Sequence, residues 1–130
     1  MGKYPNDLKY SKEHEWVRVA GTQATLGITD YAQRQLGDVV FVELPKVGAS
    51  FEQGRPIGNV ESVKSVAEVY APISGQISEV NDDLNDSPEL VNDDPFGEGW
   101  LVKFKIKDSK QLAGLMTADQ YEQFLAEAES

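Results

Sequence analysis

The sequence predicts a mainly β fold with a short internal helix and a helical C-terminus. Three observations predict it. Apolar and polar residues alternate at Trp16-Val17-Arg18-Val19 and again from Trp100 to Lys107, the period of a half-buried strand. Val39, Val40, Phe41 and Val42 stand in an unbroken β-prone row. Two short segments of similar pattern flank Lys64, which reads as two interlocked β-units joined at that lysine.

The elements follow in order. Trp16 to Val19 is a strand, Ala20-Gly21-Thr22 a turn, and Ala24 to Ile28 a second strand, so the pair forms a hairpin. Thr29 caps a short helix that holds Tyr31, Ala32, Gln35 and Leu36, and Gly37 stops it. Asp38 to Leu44 is a strand broken by Pro45 and Gly48. The first flanking unit runs from Val47-Gly48 through Phe51 to Gly54-Arg55-Pro56-Ile57. The second runs from Val80-Asn81 through Leu84 to Asp86-Ser87-Pro88-Glu89-Leu90. From Trp100 onward, Trp100, Val102, Phe104 and Ile106 fall on one face and Lys103, Lys105 and Lys107 on the other, a core strand with a basic outer side. A helical turn is expected at Ser109 to Leu115. Thr117 and Gln120 form a capping-box pattern, and Ala118, Tyr121, Phe124, Leu125 and Ala128 make one helical stripe.

The 130 residues fit one compact domain spanning 1–130. Twelve Lys and Arg stand against 22 Asp and Glu, a net charge of −10. That balance argues against nucleic acid, whose phosphates are held chiefly by Lys and Arg, and against an anionic membrane surface. No cysteine is present, so disulfides, a thiolate nucleophile and a cysteine zinc site are excluded, and the single His rules out a His-rich metal site. The N-terminus, Met1 to Tyr10, lacks a signal-peptide core, and Asn6 spoils a myristoylation motif at Met1-Gly2. No run approaches membrane-spanning length. A cytoplasmic, full-length, monomeric chain is expected. The charge is uneven: residues 1–64 hold eight bases and eight acids, residues 65–102 hold nine acids and no Lys or Arg, and residues 103–130 hold four bases and five acids. The acidic stretch is either a solvated face or a surface that steers basic partners.

The segment Gly58-Asn59-Val60-Glu61-Ser62-Val63-Lys64-Ser65-Val66-Ala67-Glu68-Val69-Tyr70-Ala71-Pro72 carries two β-prone runs that meet at Lys64. The turn lacks Asn-Gly or Asp-Gly, the strong hairpin formers. A lysine there is either an ordinary solvated turn residue or a presented amine open to acylation, which would remove its charge. Periodicity does not choose between them.

Glu61-Ser62-Val63-Lys64, followed by Pro72-Ile73-Ser74-Gly75, resembles the lipoyl-attachment hairpin of the glycine cleavage H-protein family. His14-Glu15-Trp16, Leu26-Gly27-Ile28-Thr29, Ala32-Gln33, Leu36 to Pro45, and Asp94-Pro95-Phe96 with Gly99-Trp100 match the same family. The resemblance runs from about Leu8 to about Leu125. It implies a barrel-sandwich hybrid of two short antiparallel sheets, the lipoyl- and biotinyl-carrier type. It implies a carrier and not an enzyme, with lipoate amide-linked to Lys64. The implied partners are the pyridoxal-phosphate glycine decarboxylase (P-protein), which loads an aminomethyl group, the aminomethyltransferase (T-protein), dihydrolipoamide dehydrogenase (L-protein) and the lipoylating enzymes. A borrowed dithiol would also explain how a redox carrier manages without cysteine. The resemblance further implies a cleft for the charged arm, lined by the acids matching Glu15 and Glu68 with Glu13 adjacent. Glu13 departs from the small hydroxyl residue common at its position, and Glu68 is a variant of the usual Asp. His14 reads as structural or as an interface hydrogen-bonder, and Trp16 and Trp100 read as core.

Related readings differ at particular residues. A biotin carrier usually places its lysine between two Met residues, whereas Val63 and Ser65 flank Lys64. A 2-oxo-acid dehydrogenase lipoyl domain usually shows Asp-Lys-Ala. A relay that donates lipoate to other proteins, and an interaction domain with unmodified Lys64, are the remaining alternatives.

Overall fold

A computed structural model describes residues 4–129; Met1 to Lys3, with the Met1-Gly2 start, and Ser130 lie outside the described residues. Among the described residues, nine strands form two antiparallel sheets. The strands are β1 (Lys9–Tyr10), β2 (Glu15–Ala20), β3 (Gln23–Ile28), β4 (Val39–Glu43), β5 (Ser50–Phe51), β6 (Pro56–Ser62), β7 (Val66–Tyr70), β8 (Gly75–Val80) and β9 (Val102–Ile106). The larger sheet has the order β1-β2-β3-β9-β8-β5 and the smaller the order β4-β6-β7. They face each other as an open sandwich.

The hairpin of β2 and β3 forms where the alternation placed it, turning at Gly21 and pairing Val17 with Leu26. Val17, Leu26 and Phe104 of the larger sheet meet Val42, Val60 and Val69 of the smaller in one core. Pleating sends adjacent side chains to opposite faces, so Trp16 points away from that core into a second, aromatic cluster. There it joins Tyr4, Leu8, Tyr10, Tyr121 and Leu125. Both Trp16 and Val17 are fully buried. The indole lies over Gly27, its cross-strand partner, where an added Cβ would sit 2.5 Å from a ring carbon. Only glycine fits that close approach.

Helix α1 (Asp30–Leu36) begins as predicted, with Thr29 Oγ1 accepting from the Ala32 N–H. It ends at Gly37, whose φ of 82° is the left-handed value that glycine adopts freely. The capping box of the last helix is also present. Thr117 N–H donates to Gln120 Oε1 at 2.9 Å, and Gln120 N–H donates to Thr117 Oγ1 at 3.2 Å. A 3-10 helix spans Ser109–Gly114.

The second flanking unit is not a β-unit. It folds as two single-turn helices, α2 (Asp83–Asp86) and α3 (Leu90–Asp93), before α4 (Ala118–Glu129) completes the helical set. The physical reason lies in composition: Asn81, Asp82, Asp83, Asn85 and Asp86 surround Leu84 without alternation. A strand would bury alternate members of that polar run. As helices, α2 and α3 expose the acids and bury Leu84 and Val91, while Asn81 ahead of them is buried with its amide donating to Glu98 O and Trp100 O. Gly75 opens β8 rather than merely ending the preceding run. Trp100 precedes β9 and is only partly buried, with Lys103 Nζ 5.1 Å from its ring centroid. Ala128 lies exposed beyond the buried stripe of α4. Among the described residues, no helix is long and apolar enough to cross a membrane.

Candidate functional site

β6 and β7 form a hairpin with Lys64 at its tip. No Asn-Gly closes the turn; Ser62 does. The Ser62 N–H donates to Ser65 O at 2.8 Å, and Ser62 Oγ accepts from the N–H groups of Lys64 and Ser65 at 3.3 and 3.1 Å. The side-chain oxygen thus supplies the local acceptor that a turn needs. The tip is also pinned from outside, because Val63 N–H donates to Asp38 O at 3.1 Å.

That anchor is itself braced. Asn92 of α3 donates from Nδ2 to Gln33 Oε1 and to Gly37 O, both at 2.9 Å, and its Oδ1 accepts from Val39 N–H at 2.8 Å. One amide side chain therefore ties α1, the start of β4 and α3 together beneath the hairpin. The Lys64 stem passes over Gly37, where an added Cβ would meet Cε at 3.5 Å. Lys64 is exposed, and none of the ion pairs among the described residues involves it. Around it lie exposed apolar side chains: Val63, Val66, Phe41 and Val40.

The proposed cleft acids are placed differently from one another. Glu13 and Glu15 line one cleft of about 200 Å³, with Tyr10, Tyr70, Pro72 and Met116 among its walls. Glu13 is exposed at its rim. Glu15 is only 1% exposed, and both its oxygens are engaged. Oε1 accepts from Ser11 Oγ at 2.6 Å and Oε2 from Tyr70 N–H at 2.8 Å, which stitches β2 to β7 across the two sheets. Burial pushes the carboxyl up to about 7 against these two donors. Glu68 does not line that cleft. It is exposed on β7 opposite Asn59, two residues from Tyr70 and on the same outward face, between the cleft and Lys64.

His14 is half-buried and bonded through Nδ1 to the Tyr121 hydroxyl at 2.7 Å. Trp16 donates from its indole N–H to Pro95 O at 2.9 Å, which gives the Asp94-Pro95-Phe96 block a structural task. Asn92 and Met116 belong to the site, yet their sequence neighbourhoods carry no periodic or motif signal for it; Ser62 lies inside the Glu61-Ser62-Val63-Lys64 motif, which does not reveal that its side chain closes the turn. No group of three or more His, Cys, Asp or Glu that could hold a metal ion occurs among the described residues.

Two facing sheets and a braced, lysine-tipped hairpin have the build of a carrier module. The family model described as glycine cleavage H-protein matches residues 8–128. A glycine cleavage system H protein of Herpetosiphon aurantiacus is 58% identical over 125 residues, covering 96% of this chain and 95% of that one. One of Staphylococcus carnosus is 54% identical over 123 residues, covering 95% and 98%. The crystal structure of a glycine cleavage system H protein from Mycobacterium marinum superposes with a TM-score of 0.84 at 38% identity, covering 95% of this chain and 99% of that one. This chain belongs to the glycine cleavage H-protein family. It is a carrier subunit and not a catalyst.

Proposed function

We propose that Lys64 carries lipoate through an amide bond and that the arm serves the glycine cleavage enzymes in turn. The observation that carries this reading is the exposed Lys64 amine at the tip of a hairpin pinned from below by Asp38 and Asn92. The residues present fit such a group: an exposed primary amine outside the ion pairs and, further along the same hairpin strand, a largely apolar cleft that carries Glu13 and Glu15. When bound, lipoate would supply the disulfide that takes up a one-carbon amine and two electrons, chemistry that a chain without cysteine does not provide alone.

The chain's own residues present, hold and shield. The braced hairpin keeps the point of attachment in one place, so that only the arm samples space, and the tether raises its local concentration at a docked enzyme. Glu13 offers negative charge at the rim of the cleft, beside Lys12, and Glu15, raised to about 7 by burial, ionises more fully as a cationic amine enters the cleft. Glu68 lies on the way to it. Enclosure of the amine there slows its loss to water. The partners in this reading are glycine decarboxylase, the aminomethyltransferase, dihydrolipoamide dehydrogenase and a lipoylating enzyme.

Intact-mass measurement of protein from lipoate-replete cells is expected to show one lipoyl adduct, mapped to Lys64 by peptide sequencing. Unmodified protein under those conditions would sink the proposal. Lys64→Arg keeps a charged stem at an exposed position and is expected to melt like the parent while supporting no glycine–bicarbonate exchange. Retained exchange would refute the assignment of the arm.

A further inference from the structure

The turn joining β1 to β2 holds one residue in a conformation that L-amino acids disfavour. His14 has φ 70°. A left-handed non-glycine residue costs on the order of 1 kcal/mol, and it persists where its surroundings over-determine it. The surroundings of His14 do so from two helices. Its Nδ1 meets the Tyr121 hydroxyl of α4 at 2.7 Å. That hydroxyl is also 2.8 Å from Thr29 Oγ1, the atom that caps α1. The imidazole lies against Tyr31 of α1 and against Tyr121 and Phe124 of α4, with ring centroids 4.7, 5.8 and 6.0 Å away.

Burial holds the imidazole below its ordinary value, so the ring is neutral at pH 7. Ala32 N–H donates to Thr29 Oγ1, and one chain of hydrogen bonds continues from that oxygen through the Tyr121 hydroxyl to His14 Nδ1, its direction set by the tautomer of the ring.

The residues on either side of His14 are the cleft acids Glu13 and Glu15. The left-handed step closes the turn: His14 N–H donates to Ser11 O at 3.1 Å, and Ser11 N–H donates to Glu15 O at 2.9 Å. With the turn closed, Ser11 Oγ faces the Glu15 carboxylate. The same C-terminal region supplies a cleft wall, since Met116 exchanges backbone bonds with Tyr10 at 2.8 and 2.7 Å.

We infer that His14 and Tyr121 are positioning residues for the cleft: the Tyr121 hydroxyl locks His14 in its left-handed turn and thereby holds Glu13 at the rim and Glu15 in the wall of the cleft that receives a carried ammonium group. The inference rests on the cleft reading given under Proposed function. It makes α4 a working part of the carrier rather than a cover for the aromatic cluster.

The test compares full-length, lipoylated parent with Tyr121→Phe and Glu15→Gln. Two quantities are read: the NMR titration midpoint of the Glu15 carboxyl, and the release rate of the amine after loading by glycine decarboxylase. Tyr121→Phe is expected to shift the midpoint by about half a pH unit or more and to speed release about threefold or more. Glu15→Gln is expected to speed release as well. If Tyr121→Phe moves neither quantity while Glu15→Gln speeds release, the positioning role is overturned and the cleft reading stands. If Glu15→Gln leaves release unchanged, both fall. Should Tyr121→Phe fail to fold, His14→Asn replaces it under the same criteria, because Asn tolerates the left-handed region and lacks the ring.

Discussion

Glu15 shows how a single side chain can be both brace and titrating group. Its carboxyl is raised by burial from 4.5 to about 7. A raised carboxyl binds its proton more tightly in the folded state. Its contribution to stability is therefore complete below pH 4.5 and is lost as pH rises through about 7. At about 1.4 kcal/mol per unit, the loss is on the order of 3 kcal/mol. His14 works in the opposite sense: lowered by burial, it contributes stability above its ordinary 6.5 that is lost on acidification. The two partly offset each other near neutrality. Glu15→Gln should leave the His14 slope alone, so its melting temperature is expected to fall as pH drops below about 6.5 and to stay flat above it. Thermal melts from pH 5 to 8 would show this; a parent-like profile would remove Glu15 from the account. At Gly27, an added methyl would strike the Trp16 indole. Gly27→Ala is expected to cost about 1–3 kcal/mol in denaturant unfolding.

Among the elements, the braced hairpin matters most. β6 and β7 alone would be a two-stranded ribbon, which is marginal in water. Pairing with β4 and the Asn92 amide give it a foundation. Asn92→Ala strands the Val39 N–H and one acceptor site of the Gly37 carbonyl. It is expected to cost about 1–3 kcal/mol and to speed hydrogen exchange at Val63, whose N–H rests on Asp38. Unchanged exchange there would mean that the tip does not depend on α3. Much of this level was legible beforehand. The cap at Thr29, the stop at Gly37, the Thr117 box and the alternation in β2 and β9 each depend on neighbours within a turn or a strand. The pattern around Leu84 misled because Val-turn-Pro spacing suits short helices as well as strands, and there the acids decide.

Across the whole molecule, the charge is organised around the hairpin's foundation. Asp82, Asp83, Asp86, Glu89, Asp93, Asp94 and Glu98 are exposed on and beside α2 and α3. Asn92 lies among them and bonds to Gly37, so this acidic surface sits beside the base of the Lys64 hairpin. Three of the four lysines after residue 102 stand on or beside the outer face of β9, behind the larger sheet. Acylation of Lys64 would remove one more positive charge, taking the net charge to about −11. An acidic surface beside the arm would steer partners with basic mouths toward it. Association rates with the glycine cleavage enzymes are expected to fall about tenfold or more as salt is added. Rates indifferent to salt would leave the acids as a solvating surface only.

Local sequence is enough for the β character, the hairpin at Gly21, the caps of α1 and α4, and the placement of Lys64 at a turn. Each follows from short-range periodicity or from hydrogen bonds between near neighbours. Only the tertiary structure decided that Glu15 is enclosed while Glu68 stays outside, that Asn92 braces the hairpin, and that His14 is held left-handed. Those outcomes depend on pairs distant in the chain: Glu15 with Tyr70, 55 residues on, and His14 with Tyr121, 107 residues on. Burial and charge at such sites are set by what packing brings together, and no local pattern encodes that.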